Sequence, residues 1–323
     1  MTPGSRHVLV TGASGYVGGA VARALLDAGH AVTGLVRDPI GAAPLAAAGA
    51  RLHTGDMLRP DTYVPLVAGV DAVVHAAQLR APGRLTRSRI GRMLAADGVM
   101  AAALARACLA GGKRLLYASG GWIYGDHGAH WIEESAAHRP APLGTWHAQG
   151  VAMLRELGGQ GLDFIALHAG FVYGPGGNFE RAFAAPAAAG RIRYPGDGTN
   201  YWSCVHLDDL AAAHVAALER APARAEYNVA DDSPLPLAAF AAATARAFEA
   251  RPAQPVPRPA AALALGLPAV RSLTTSYRLS NARARAELGW QPRYPSVVEG
   301  LPSVARALRP PALTSTHNAL KGR

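Results

Sequence analysis

The chain has 323 residues, of which half are apolar and 17% charged, a composition that is typical of a globular protein and excludes a disordered one. Since one hydrophobic core rarely serves more than about 250 to 300 residues, this length predicts two lobes. The net charge is +10, from 32 Lys and Arg against 22 Asp and Glu, and only Lys113 and Lys321 are lysines. The densest basic segment, 80–92, has no interleaved aromatic residues, so we expect no nucleic-acid partner.

Cysteine content and the apolar stretches predict a location. Cys108 and Cys204 offer neither a disulfide framework nor a metal-ligand spacing, so we expect no metal site and a reducing compartment. Polar and charged residues precede the first apolar run, unlike in a signal peptide. The longest strongly apolar stretch without charges, 259–270, is too short for a bilayer span. We therefore predict a cytoplasmic protein that does not bind a membrane.

Strand and helix patterns alternate over the first 170 residues. Short apolar runs predict strands at 7–10, 31–36, 51–54, 70–76, 114–119 and 161–168. Longer runs between them predict helices at 15–28, 42–48, 95–109 and 145–157. This alternation predicts an α/β fold, a Rossmann-like doubly wound parallel sheet with helices on both faces.

After Gly174 the regular alternation ends. Segments 174–177 and 190–202 are rich in turn residues, a helix is predicted from Asp208, a strand at 227–230 and a helix at 237–249, and 251–259 is a proline-rich connection. We therefore predict a dinucleotide-binding domain at 1–173, to which 203–226 returns. A smaller C-terminal α/β substrate lobe would comprise 174–202 and 227–308, followed by a mobile tail at 309–323.

A glycine-rich segment lies between the first strand and the first helix. It reads Thr-Gly-Ala-Ser-Gly-Tyr-Val-Gly over 11–18. Gly12 permits a tight turn, Gly15 lets the backbone approach a pyrophosphate, and Gly18 lets helix and strand pack closely. The amide groups at the helix start would then face the phosphates. The alternative is a merely structural turn. The predicted cofactor contacts in this segment are Gly12, Ser14, Gly15, Tyr16, Val17 and Gly18.

The end of the second strand selects the cofactor. Arg37 offers a planar set of donors for a 2′-phosphate, which favours NADP(H) over NAD(H). In the alternative, Arg37 is solvated and Asp38 binds the ribose hydroxyl of NAD(H). Asp56, followed by Met57, is placed to accept a hydrogen bond from the adenine amine. Ala76 and Ala77 form a strand end of small residues under the cofactor.

Further motifs in the same order resemble the extended short-chain dehydrogenase/reductase superfamily, in its epimerase/dehydratase branch. The resemblance spans about 7–301, and its motifs include Val-His-Ala-Ala at 74–77, Ile-Tyr-Gly at 123–125, Val-Tyr-Gly-Pro-Gly at 172–176, Val-His-Leu-Asp-Asp at 205–209 and Leu-Gly-Trp-Gln-Pro at 288–292. It implies a small-molecule substrate. It also implies cofactor contacts from Gly170 and Val172, and a homodimer through helices of the sheet domain, with 95–109 and 145–157 as the candidate faces.

The family's catalytic residues are replaced in this sequence. The resemblance places its Ser/Thr at Gly120, its Tyr at Thr145 and its Lys at Gln149, and none of the ten tyrosines has a lysine four residues later. In the family, the lysine ammonium lowers the pKa of the tyrosine, which then exchanges a proton with the substrate oxygen. Thr145 is too weak an acid for that role. Gln149 can still bind the nicotinamide ribose.

The replacements leave alternatives open. Tyr124 is a candidate proton donor, or else it packs in the wall of the substrate pocket. His147 lies two residues from both Thr145 and Gln149, so it acts as an acid only in another helix register. Trp122 and Trp146 form an aromatic wall or fill vacated volume. The predicted substrate pocket consists of Gly120, Trp122, Tyr124, Trp146 and Tyr173. Tyr173 belongs to a loop motif, so its main expected role is to hold that loop in position.

Three classes of function fit these residues. The first is an NADPH-dependent reductase of an activated small molecule, such as a quinone, a conjugated enone or an iminium ion in secondary metabolism, because such an acceptor needs no strong enzymic acid. The second is a non-redox isomerase, dehydratase or cyclase that keeps the nucleotide unchanged. The third is a non-catalytic NADP(H)-binding sensor. The first is our leading hypothesis.

Overall fold

The alternating apolar and helical runs fold into an α/β protein, described here by a computed structural model of residues 4–79 and 83–309. Its strands in chain order are β1 (His7–Thr11), β2 (Ala31–Val36), β3 (Arg51–Thr54), β4 (Ala72–His75), β5 (Arg114–Gly120), β6 (Trp131–Ile132), β7 (Phe164–Ala169), β8 (Phe171–Tyr173), β9 (Arg193–Pro195), β10 (Tyr201–Trp202), β11 (Cys204–His206), β12 (Ala225–Val229), β13 (Leu235–Pro236), β14 (Gln254–Val256) and β15 (Arg278–Leu279). Its helices are α1 (Tyr16–Asp27), α2 (Ala43–Ala47), α3 (Arg87–Gly111), α4 (Thr145–Gly159), α5 (Gly177–Phe179), α6 (Ala185–Ala188), α7 (Leu207–Arg220), α8 (Leu237–Ala247), α9 (Arg258–Leu265), α10 (Leu267–Leu273), α11 (Ala282–Leu288) and α12 (Val297–Leu308). Of the predicted tail at 309–323, residues 310–323 lie outside this description.

Seven parallel strands form the central sheet, in the order β12-β7-β5-β4-β1-β2-β3. The middle strands are apolar without alternation because helices cover both faces of the sheet. In β1, for example, Val8, Leu9 and Val10 are all fully buried. The predicted Rossmann-like, doubly wound α/β fold is confirmed.

The seventh strand corrects the predicted domain boundary. Strand β12 pairs in parallel with β7, with Ala225 opposite Ile165 and Val229 opposite Ala169. Residues 227–229, which the sequence assigned to the substrate lobe, therefore belong to the sheet. All five residues of β12 are buried, so the strand is stable only as a sheet member. A five-residue run does not reveal that its partner lies about 60 positions earlier. The other boundaries remain predictions.

Helix α3 is longer than the sequence indicated. It begins at Arg87 and not at residue 95, because the Thr86 side chain accepts a hydrogen bond from the Arg89 amide and caps the helix. Its first turns carry arginines, which are good helix formers but leave no apolar periodicity. By length and composition α3 could span a membrane. Met100, Leu104 and Cys108, however, are fully buried against the sheet.

The proline-rich connection at 251–259 also contains regular structure. Strand β14 pairs with β9, and α9 starts with Arg258 and Pro259. Proline is well tolerated in the first turn of a helix, where no amide donor is needed. Most of this proline-rich connection therefore has regular secondary structure.

An aromatic core joins the C-terminal lobe to the sheet domain. Phe171, on the strand that follows β7, contacts Trp202 with 4.7 Å between ring centroids, and it also contacts Phe183 and Phe240. Tyr173 is fully buried and donates a hydrogen bond to the Ser296 carbonyl at the start of α12. The lobe is thereby held over the carboxyl ends of β1, β4 and β5, where doubly wound sheets bind their ligands.

Candidate active site

The glycine-rich turn between β1 and α1 has the geometry of a phosphate-binding loop. Gly12 has φ +66°, a conformation that side chains disfavour. A Cβ at Gly18 would lie 2.3 Å from the Gly12 carbonyl oxygen, and one at Gly15 would lie 2.9 Å from the same atom. Ser14 and Gly15 are exposed at the turn, and Val17 is half-buried against the core. The three glycines are thus required for the turn and leave a backbone cradle open to solvent.

Thr11 organises the floor beneath this loop, a role that the sequence analysis missed. Its hydroxyl accepts hydrogen bonds from the amides of Ala76 and Ala77, both at 3.2 Å. The same hydroxyl lies 2.9 Å from His75 Nδ1. The ends of β1 and β4 are therefore held together where the predicted cofactor contacts Ala76 and Ala77 lie. The signal in the sequence was a threonine directly after the apolar run of the first strand, and this residue is fully buried in the structure.

Tyr16 connects the glycine-rich loop to the second glycine loop, 174–177. Its ring fills the space above Gly177, where a Cβ would lie 2.4 Å from ring atoms. Its hydroxyl is buried and has no hydrogen-bond partner among the described residues. Burial, and then the charges of Asp208 and Glu180, raise the pKa of this hydroxyl above its ordinary value. A neutral donor is thus left without a partner beside the cradle.

Arg37 and Asp38 follow β2 and behave differently. Asp38 Oδ1 accepts a hydrogen bond from the Ile40 amide at 2.9 Å, so this carboxylate is turned toward its own loop. Arg37 is exposed, and its guanidinium makes no hydrogen bond with any residue that the structure describes. Of these two exposed side chains, only Arg37 makes no hydrogen bond with the described residues.

The remaining predicted cofactor residues lie at neighbouring strand ends. Asp56 is exposed after β3 and accepts a hydrogen bond from the Leu58 amide at 2.9 Å, and Met57 is half-buried beside it. Gly170 lies between β7 and β8, where a Cβ would approach the Ser203 carbonyl to 2.7 Å. Val172 pairs with Val205 in the short β8–β11 sheet. Their contact with a cofactor remains a prediction.

His147 is buried beside the end of β5, whereas Gln149, two residues later on the same helix, is exposed. A Cβ added at Gly120 would be 3.8 Å from His147 Cδ2, so the imidazole borders the space that a Ser or Thr side chain would enter. Its Nε2 is 3.2 Å from Gln78 Nε2, after β4. Burial lowers the pKa of His147 to about 4, so the ring is neutral at pH 7.

A buried polar network lies behind His147. Asp97 of α3 accepts a hydrogen bond from the Tyr117 hydroxyl at 2.8 Å and lies 3.6 Å from His75 Nε2. Burial alone would raise the pKa of Asp97, but hydrogen bonds and charge from the neighbouring histidines lower it below its ordinary value. The Tyr117 ring in turn packs edge-on against His147, with centroids 5.9 Å apart. The network links the sheet to α3 and α4 beneath the cleft.

Thr145 and Gln149 occupy the first turn and a half of α4. The Thr145 hydroxyl donates a hydrogen bond to the Pro142 carbonyl at 3.2 Å. Thr145 also lines a cavity of about 400 Å³ between the sheet domain and the lobe. Gln149 is exposed one turn later and carries no charge. This face of α4 therefore offers a hydroxyl and an amide but no ionisable group.

Tyr124 does not face that cavity, and the geometry does not support it as a proton donor. It is fully buried, and its hydroxyl donates to Asn228 Oδ1 at 2.9 Å. Burial, and then the charges of Glu134 and Glu226, raise the pKa of Tyr124 above its ordinary value. The packing alternative is the one that fits these contacts.

A cluster of charged side chains surrounds the far side of Tyr124. Arg155 contacts both carboxylate oxygens of Glu226, at 2.5 and 2.9 Å, and His168 Nε2 lies 2.9 Å from the same carboxylate. His138, His168 and Glu226 have ligand atoms within 4.8 Å of one another, a spacing that suits a metal ion. Because the Arg155 guanidinium already neutralises Glu226, this cluster is satisfied as an ion pair.

The aromatic residues of the predicted pocket divide into two groups. Trp146 is nearly buried against the His147 ring, and half-buried Trp122 has an indole nitrogen without a partner among the described residues. Both flank the cleft near Gly120. Tyr173 is instead enclosed by α12, where a Cβ at Gly300 would lie 2.1 Å from its hydroxyl. Tyr173 is therefore positional and does not line a substrate pocket.

The family model described as "NAD dependent epimerase/dehydratase family" matches residues 8–230. The chain is 33% identical over 308 residues to a 3-diazoavenalumate denitrifying reductase of Streptomyces sp, covering 91% of this chain and 99% of that protein. It is 30% identical to a 2-alkyl-3-oxoalkanoate reductase of Stenotrophomonas maltophilia, covering 71% and 72%. The structure of human epimerase family protein SDR39U1 with NADPH superposes with a TM-score of 0.79 at 22% identity, covering 94% and 100%, which shows a shared fold.

Proposed function

Since this chain belongs to the NAD dependent epimerase/dehydratase family, we propose that it is an NADPH-dependent reductase of an activated, electrophilic small molecule. The resemblance to extended short-chain dehydrogenases/reductases and the prediction of an oxidoreductase of this type are confirmed, because the relatives compared here are reductases. The substrate and the way in which it is protonated are our proposals.

The cradle residues fit a bound dinucleotide phosphate. Gly12, Gly15 and Gly18 leave backbone room that any Cβ would fill, and the Tyr16 hydroxyl is a buried donor without a partner among the described residues. The exposed Arg37 fits the 2′-phosphate of NADP(H), while one carboxylate oxygen of Asp38 accepts a hydrogen bond from its own loop. These contacts favour NADP(H) over NAD(H). When bound, NADPH would supply a hydride.

The polar groups of the cleft favour an acceptor that needs no strong acid. Thr145 offers an aliphatic hydroxyl, Gln149 an amide and His147 a neutral imidazole. An acceptor that delocalises the added electron pair can receive the hydride first and a proton later from water. Quinones, conjugated enones, iminium ions and arenediazonium ions all meet this condition. The replacement of the Tyr/Lys pair by Thr145 and Gln149 is the observation that carries the proposal.

The Streptomyces relative is named for a diazo substrate and a denitrifying reduction, which extends this list of electrophiles. For an arenediazonium ion the reaction balances without an enzymic acid. Hydride adds to the terminal nitrogen to give an aryldiazene, which loses N2 while its hydrogen passes to the ring carbon. The products are the arene, N2 and NADP⁺. We propose that the same class of acceptor serves this chain.

The proposal is tested by following the loss of NADPH absorbance in separate assays of the purified protein with a quinone, an enone, an arenediazonium ion and a simple saturated ketone. We expect turnover of at least one activated acceptor and none of the ketone. Thr145→Ala should keep kcat within about threefold, because no proton transfer in the rate-limiting step depends on its hydroxyl. Reversible oxidation of simple secondary alcohols would contradict the proposal. Turnover with unchanged nucleotide would support the non-redox alternative, and nucleotide binding without turnover the sensor.

A further inference from the structure

Three arginines line the cavity of about 400 Å³ beside Thr145. Arg84 precedes α3, Arg87 begins it, and Arg271 lies on α10 of the C-terminal lobe. Arg84 and Arg87 belong to the basic segment 80–92. The size of the cavity is that of a typical small-molecule site. The fold thus brings part of the charge surplus to one concave place.

These three guanidinium groups lack counterions within the described part of the chain. No described lining residue is acidic, and the three side chains make no hydrogen bond or ion pair with any described residue. Several other arginines are paired, as in Arg114 with Asp163 at 2.9 Å and Arg285 with Asp232 at 2.8 Å. Three cations around one cavity repel each other, so the arrangement favours an incoming anion.

The walls of the cavity are fixed by contacts between the two domains. The Leu85 amide donates a hydrogen bond to the Leu265 carbonyl at 2.8 Å. A Cβ at Gly266 would lie 1.9 Å from the Leu85 carbonyl oxygen, so the two segments touch through their backbones. On the other side, the Leu143 amide donates to Ser272 Oγ at 3.0 Å. The arginines are therefore carried by backbone segments with a defined spacing.

The cavity also reaches Thr145 at the start of α4. Thr145 lines it and stands where the family has its tyrosine, while Leu85, Ile90, Pro142 and Pro268 give it apolar walls. We propose that the substrate carries a carboxylate that Arg84, Arg87 and Arg271 bind, with a planar conjugated body between this anion and Thr145. Guanidinium groups match a carboxylate bidentately, and apolar walls suit the body. This inference rests on the proposed function for the reaction but not for the binding.

Binding of two isosteric probes to the protein saturated with NADP⁺ tests the inference. We expect cinnamate to bind about ten- to a hundredfold more tightly than cinnamamide by titration calorimetry, because hydrogen bonds to a charged group are the stronger ones. Arg271→Gln and Arg87→Gln should each remove most of this preference, and Arg271→Lys should retain part of it. Arg92→Gln, an exposed change on the same helix outside the cavity, is the matched control. Melting temperatures verify that each variant is folded.

The outcomes separate this inference from the proposed function. Equal affinity for the two probes, or cinnamate that competes with NADP⁺, overturns the carboxylate site even if NADPH is oxidised by an electrophile. A preference for cinnamate that Arg271→Gln abolishes supports the site even if every electrophile in the panel fails. For any acceptor that the protein reduces, the compound with a carboxylate should have a lower KM than the corresponding amide. Arg271→Gln should raise the KM of the carboxylate compound with little change in kcat.

Discussion

At the scale of single residues, the cleft shows how one substitution changes the setting of another. Gly120 has no side chain, and the His147 ring borders the space left open. Burial lowers the pKa of this imidazole to about 4, so the ring carries no charge at pH 7. A helix that resembles the family's catalytic helix in position therefore presents a different set of groups to the substrate.

Arg37 is the residue whose change should alter the cofactor. Arg37→Glu places a carboxylate where the 2′-phosphate would lie, so we expect the Kd of NADPH to rise about ten- to a hundredfold while that of NADH changes little. Fluorescence titration measures both constants. Arg23→Glu, an equal charge change on the exposed side of α1, is the control. An NADPH affinity that Arg37→Glu leaves intact would show that Arg37 is only solvated.

At the scale of elements, the outermost strand pair is held by ionic contacts as well as by its ladder. Glu226 on β12 contacts His168 on β7 and Arg155 on α4, so one carboxylate joins two strands and a helix. Burial alone would raise the pKa of Glu226, but the hydrogen bonds from His168 and Arg155 lower it to about 2. Arg155 and His168 thus share one carboxylate.

Glu226→Gln should destabilise the protein in a pH-dependent way. Because the folded-state pKa lies below the unfolded value of about 4.3, this carboxylate stabilises the fold above that pH, and the contribution is lost as the pH falls toward 2. We expect a loss of about 2 to 4 kcal/mol at pH 7 that shrinks between pH 5 and 3, measured by urea denaturation. Glu249→Gln, which breaks the exposed pair with Arg309, should have almost no effect. An effect of Glu226→Gln that does not vary with pH would refute the assignment.

At the scale of the whole molecule, α3 presents an apolar face that one chain does not cover. Less than half of the most apolar 18 residues of α3 are buried inside the protein, and Gly98 and Val99 are exposed near the middle of the helix. Small exposed residues allow a second helix to approach closely. The homodimer through helices of the sheet domain remains a prediction. The cytoplasmic location also remains a prediction.

Val99→Arg should convert the protein to a monomer. The charge would lie within the α3 face, where a second copy would have to bury it without a counterion. Light scattering after size-exclusion chromatography gives the mass directly. Val298→Arg, at a more exposed valine on α12, should leave the dimer intact. A wild-type protein that is monomeric at micromolar concentration would refute the homodimer.

Local sequence determined where two strands of the sheet lie and how the cofactor loop turns. The runs at 31–36 and 51–54 match β2 and β3 residue for residue, and the glycine spacing at 12, 15 and 18 gives the turn. Both depend on contacts within a few residues, which periodicity and backbone sterics report. The absence of a Tyr/Lys pair was equally plain, because it follows from the two lysines alone.

Only the tertiary structure decided what the cleft contains. Tyr124 is enclosed through Asn228, His147 meets Gly120 and Gln78, and Arg271 joins Arg84 around one cavity, although each pair is far apart in sequence. Burial and pKa depend on which distant side chains surround a group, and no local pattern records those neighbours. The sequence therefore determined the cradle for the cofactor, whereas packing of the lobe on the sheet determined the chemistry offered to the substrate.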